Sequence, residues 1–140
     1  MCKLTEYLDK DQVTVYKVVA KKDDGYYSIA MGIKYKIGEY LPMSTEITQN
    51  PIGNHFSSDI LSLQNYGSFE YEMSGRTSGF KSLGDTYHLL QRIQISNNWS
   101  EPCNIRFIVV KIILSKDLMT GTYGKYEVIA GRMITKIVEI

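Results

Sequence analysis

Cysteine, proline and any excess of one charge are scarce in this chain, and each shortage removes a class of function. Its two cysteines, Cys2 and Cys103, stand far apart with no Cys-x-x-Cys. Together with His55 and His88 they lack the local ligand pairs that structural zinc sites use, so no metal is expected. Lys plus Arg number 16 against 15 for Asp plus Glu, a net charge of +1 that supplies no global field for a polyanion. Nucleic acid is therefore not an expected partner. No apolar run approaches membrane-spanning length, and Met-Cys-Lys-Leu-Thr-Glu at the start has no basic segment followed by an apolar one. A cytoplasmic protein without a membrane segment is expected, and Asn98-Trp99-Ser100 is then a chance match to a glycosylation acceptor.

What is present reads as one globular domain over residues 1–140, with 44% hydrophobic and 22% charged residues. Val13–Lys21 is dense in β-branched residues, and Asp24-Gly25 separates it from a second strand-like run, Tyr26–Met31, as in a hairpin. Ile33, Tyr35 and Ile37 alternate with lysines and share one strand face. Leu41 to Gly67 loses all periodicity apart from a short helical turn at Asp59–Leu63, a length of loop that often carries function. Phe69–Met73 alternates again before a loop, Ser74 to Gly79. Ser82–Ile95 predicts the principal helix, with Ser82 as cap and Leu83, Tyr87, Leu90 and Ile93 on one stripe. Ile105–Leu114 is nearly continuous in apolar residues and predicts a central strand buried on both faces. Lys125–Ala130 and Arg132–Ile140 follow as strands around a bend at Gly131. The expected class is α+β: a twisted, mainly antiparallel or mixed sheet of about six strands packed with one helix.

No catalytic constellation is expected. The chain has no Gly-x-Ser-x-Gly elbow and no Cys/His signature beside its two histidines. Gly121-Thr122-Tyr123-Gly124-Lys125 has the wrong spacing for a phosphate loop and lacks a following helix, so it reads as a β-turn. The candidates are instead ligand contacts. Arg76 lies between glycines in a loop that can approach an anion closely, and its planar guanidinium suits bidentate contact. Arg106 is a further candidate; with Lys111, which is not one, it interrupts an apolar strand, and the two point to opposite faces, so each needs an edge or a partner such as Glu70, Glu72 or Glu127. Arg132 follows the Gly131 bend with the same requirement, and His88 lies beside the helix stripe. Tyr35 belongs to a surplus of 11 tyrosines, a residue suited to contact surfaces and to stacking.

Several short pieces together resemble a family of small uncharacterised phage and bacterial domains. They are Tyr16-Lys17-Val18-Val19, Gly25-Tyr26-Tyr27-Ser28-Ile29, Tyr35-Lys36-Ile37-Gly38, Gly79-Phe80-Lys81-Ser82-Leu83 and Ala130-Gly131-Arg132-Met133. The resemblance implies an accessory protein of viral origin in the host cytosol. A second set is similar to ADP-ribosyltransferase-like domains, with Lys17 at the place of the early Arg or His and Ser44-Thr45-Glu46 imitating the Ser-Thr-Ser strand. That likeness adds Lys17 to the ligand contacts and implies a nucleotide-dependent enzyme, intact or degenerate. The leading expectation is a non-enzymatic phage or mobile-element protein without cofactor, which occupies a host protein or sequesters a small anionic, nucleotide-like ligand and so counters host defence. The alternatives are the transferase and a structural phage component. Self-association through an uncovered sheet edge is expected in each case.

Overall fold

The structure, a computed structural model, describes residues 2–29, 33–42, 75–96 and 105–140. Within them the chain runs β1 (Cys2–Tyr7), β2 (Gln12–Lys22), β3 (Gly25–Tyr27), β4 (Thr77–Phe80), α1 (Leu83–Ser96), β5 (Arg106–Ser115), β6 (Met119–Tyr123), β7 (Tyr126–Gly131) and β8 (Met133–Glu139). The class is α+β, with one sheet in the order β1-β6-β7-β4-β2-β5-β8 and β3 added to β2. The sheet has eight strands rather than about six, and the pairings among the described residues are antiparallel.

The long β2 and β5 strands and the helix fold as their patterns dictate. Ile33–Ile37, in contrast, forms no strand and leaves Ile37 exposed, and Tyr87 of the expected helix stripe is exposed while Leu89 is buried. β2 and β5 pair over ten residues, Gln12↔Ser115 to Lys21↔Arg106, and both carry β-branched side chains on the two faces. Helix α1 starts behind Ser82, whose Oγ accepts from the Asp85 N–H at 3.3 Å, and Asp85 adds a carboxylate to the positive end of the helix. Leu89 and Ile93 are buried against Val18, Phe80, Phe107 and Val109 on one sheet face. The opposite face buries Val15, Val19, Val110, Ile112, Leu114 and Ile134 beneath Ile33, Tyr35 and Leu41. Coverage on both sides explains why β5 shows no polar alternation.

Three departures have physical causes. The Ser74–Gly79 loop ends in a strand, because Thr77 to Phe80 pair with Gly131 to Val128 and all four residues are buried. Of the expected run Tyr26–Met31, Tyr26 and Tyr27 belong to β3, residues 30 and 31 lie outside the described residues, and Lys34 meets Tyr27 in an isolated bridge. β1 and β6, which pair with each other, carry too few apolar residues in register to be seen from periodicity. The Gly121–Lys125 turn folds as expected, with Gly124 left-handed (φ 59°) between β6 and β7. Residues 59–63 and 69–73 lie outside the described residues.

The sheet also closes on itself. β7 and β5 are three strand positions apart, a separation of roughly 14 Å in a flat sheet. A Cβ on Gly131 of β7 would nevertheless lie 3.3 Å from Cβ of Leu114 in β5. The Arg132 N–H donates to the Lys116 carbonyl at 3.0 Å across this seam. The second apolar cluster, containing Leu114, Leu118 and Ile129, is thus the inside of the closure.

Candidate functional site

β4 is the element around which the expected ligand contacts gather. Its close approach to β2 requires Gly79, where a Cβ would stand 2.4 Å from Cγ2 of Val15 and 2.9 Å from the Tyr16 carbonyl oxygen. β2 and β4 share only the pair Tyr16↔Phe80, which leaves the Ser78 carbonyl accessible to a side chain. Lys17, 6% exposed, fills that place and donates from Nζ to the Ser78 oxygen at 2.8 Å. Next along the strand, the Tyr35 hydroxyl meets Oγ1 of Thr77 at 3.2 Å. The cleft at Tyr16, Lys17, Ser78, Gly79, Phe80 and Leu89 has a volume of about 10 Å³. That is room for one water and not for a larger molecule at this cleft.

Arg76 and Arg132 stand at the end of the same ladder. Its last pair is Thr77↔Gly131, which Arg76 and Arg132 flank, and at Arg132 the backbone turns away to bond Lys116 and Leu41. Nε of Arg76, Nε of Arg132 and Oγ of Ser115 are buried without a hydrogen-bond partner among the described residues. Arg132 has two further contacts, Nη1 to Oδ2 of Asp117 at 3.5 Å and its guanidinium 5.3 Å from the centre of the Tyr40 ring. Tyr40 is itself 56% exposed. The corner that carries Asp117 is strained: Lys116 (φ 68°) and Asp117 (φ 49°) are both left-handed without being glycine. Such a conformation costs about 1–2 kcal/mol per residue and is found where function over-determines the backbone.

Four of the six candidates, Lys17, Tyr35, Arg76 and Arg132, are therefore carried on or against β4 and the closing seam. The other two sit elsewhere. His88 projects from α1 to the Tyr126 hydroxyl, 3.0 Å from Nδ1. Arg106 lies at the start of β5, in register with Lys21. Its charge acts on Glu139, whose carboxyl is held below the usual range chiefly by hydrogen bonds from Lys21 (2.7 Å) and Tyr26 (2.8 Å). Glu127, one expected partner for Arg106, faces Lys81 at 3.8 Å instead. Asp24 is likewise lowered, first by the Tyr27 hydroxyl at 2.7 Å, and burial followed by that bond pushes Tyr27 up to about 12.

Ser115, Asp117 and Tyr40 carried no local sequence signal and are found only through register and closure. Ser44, Thr45, Glu46 and His55 lie outside the described residues, as do Glu70 and Glu72, the other expected partners for Arg106. Among the described residues, no three His, Cys, Asp or Glu side chains are grouped to hold a metal. No helix among them is long and apolar enough to cross a membrane. Chemically, the two guanidinium groups at the end of β4 can hold an anion, while the Lys17 ammonium and the Tyr35 hydroxyl are engaged by Ser78 and Thr77 on the inner face. In comparisons with protein families, curated proteins and solved structures, the chain matches none.

Proposed function

We propose that this protein is a non-enzymatic binding protein that sequesters a small anionic, nucleotide-like ligand. The observation that carries the reading is the meeting of Arg76 and Arg132 at the end of β4, backed on the inner face of the strand by Lys17 on the Ser78 carbonyl and Tyr35 on Thr77. Convergent donors with few acceptors recognise negative charge, and donors held by a closed sheet do so without reorganising. Tyr40, exposed beside Arg132, adds a ring face on which a flat group can stack. A phage or mobile-element setting, in which removal of such a molecule blunts a host response, rests on the short motif resemblances and is part of the proposal.

Native mass spectrometry of the freshly purified chain tests the reading. A retained species of a few hundred daltons, released on acid denaturation and absorbing near 260 nm, is the expected result. A protein that carries no small molecule and takes up none from a metabolite extract would end it. Release of nicotinamide from NAD by the purified chain would instead establish the transferase, and recovery of a stoichiometric host protein would make the partner macromolecular.

A further inference from the structure

We infer that Arg76 and Arg132 form a two-guanidinium clamp for a single phosphate group, with the Ser115 hydroxyl as a third donor. The inference rests on the anion-binding reading above and names the group that the site takes.

Two arginines that flank the last pair of an antiparallel ladder, Thr77↔Gly131, repel, and a fold keeps them there at lower cost where an anion lies near both. Asp117 supplies one carboxylate, 3.5 Å from Arg132 and partly exposed, whereas Lys116 adds a further positive charge at the same corner. Among the described residues, acid thus offsets only part of the charge. Strand alternation places the three orphaned donors together. Thr77, which meets Tyr35, and Gly131, which abuts Leu114 and Leu118, face inward. Arg76 and Arg132 then face outward, and so does Ser115, the residue after the inward Leu114.

A buried donor without an acceptor is costly, and three at one corner call for a common explanation. A trapped water accepts two hydrogen bonds and carries no charge, so it leaves both the third donor and the repulsion. A carboxylate brings a single negative charge. A phosphate offers three acceptor oxygens and up to two negative charges, matching three donors from three separate stretches of chain and the surplus of positive charge. The left-handed pair Lys116–Asp117 fixes the Lys116 carbonyl that accepts from the Arg132 N–H, which sets the backbone of one arm of the clamp.

The test uses the full chain and inorganic phosphate as the probe, with chloride at equal ionic strength as control. Calorimetric titration should show phosphate binding that falls at least tenfold in Arg76→Gln and in Arg132→Gln. Arg76→Lys and Arg132→Lys should lose several-fold, since an ammonium keeps the charge but not the fork. Lys111→Gln, at an exposed site on the outer face of β5, should bind as the unaltered chain does. Circular dichroism of each variant separates misfolding from lost binding, and the lysine variants carry the test if a glutamine variant unfolds. Phosphate uptake no stronger than chloride, or unaffected by both arginine substitutions, overturns the clamp. Should the Arg76→Gln/Arg132→Gln double variant still retain a small ligand in native mass spectrometry, the clamp is wrong while the anion-binding reading survives. An unaltered chain that neither retains a ligand nor binds phosphate ends both.

Discussion

Gly79→Ala is the sharpest perturbation of the arrangement on which the site depends. The new methyl would lie 2.4 Å from Cγ2 of Val15, 2.9 Å from Cβ of Val15 and 2.9 Å from the Tyr16 carbonyl oxygen, where ordinary carbon contacts need about 3.5–4.0 Å. Val15 is fully buried and two of the three obstacles are backbone or Cβ atoms, so no side-chain rotation removes the clash. β4 must move by about 1 Å, and overpacking of this kind costs typically 1–3 kcal/mol. Reduced freedom of the unfolded chain returns about 0.4–1 kcal/mol, which leaves a net loss near 2 kcal/mol. For a domain of this size the thermal midpoint should drop by about 6–10 °C, and the urea midpoint should fall with an unchanged slope. The double variant Val15→Ala/Gly79→Ala removes the nearest atom. Its loss should be smaller than the sum of the single losses by about 1 kcal/mol, whereas independent sites would add. A Gly79→Ala chain as stable as the original, or strictly additive losses in the cycle, would refute the close approach of β4 to β2.

Three further outcomes follow from the same structure. Lys116→Gly should raise stability by about 0.5–1 kcal/mol, because relief of the left-handed strain exceeds the entropy that glycine loses; a lowered thermal midpoint would show that Lys116 is not held at positive φ. Tyr27 ionises near 12 in the folded chain against about 10 when unfolded, so its contribution is complete below pH 10 and disappears as pH rises towards 12. Denaturant titrations across pH 10–12 should therefore show a shallower alkaline loss in Tyr27→Phe, by up to about 2–3 kcal/mol, and parallel curves would contradict the burial of its hydroxyl. Leu114→Ala empties a fully buried site inside the closure and should cost about 2–5 kcal/mol in equilibrium unfolding; a loss under 1 kcal/mol would mean that the closure is not packed there.

The helix, the long β2 and β5 strands and the last two strands were legible in the sequence because each carries its own pattern. Ser82 with Asp85 and the Leu83–Ile93 stripe mark the helix, and the β-branched runs of β2 and β5 need no partner to announce them. From those elements alone the α+β class follows. The candidate cations were legible as types, since an arginine between glycines or after a bend stands out wherever it lies.

Their assembly was decided elsewhere. Thr77-Ser78-Gly79-Phe80 has no strand pattern and becomes β4 because β7 on one side and β2 on the other offer it hydrogen bonds, and because Gly79 has no side chain to keep β2 away. Only that placement sets Arg76 and Arg132 at the end of one ladder, and only the curl that brings Gly131 to Leu114 carries Ser115 and Lys116 to the same corner. Local pattern reports what one segment buries. Contacts between residues far apart in the chain depend on how strands are ordered and how far the sheet bends, and these are properties of all the strands packed together.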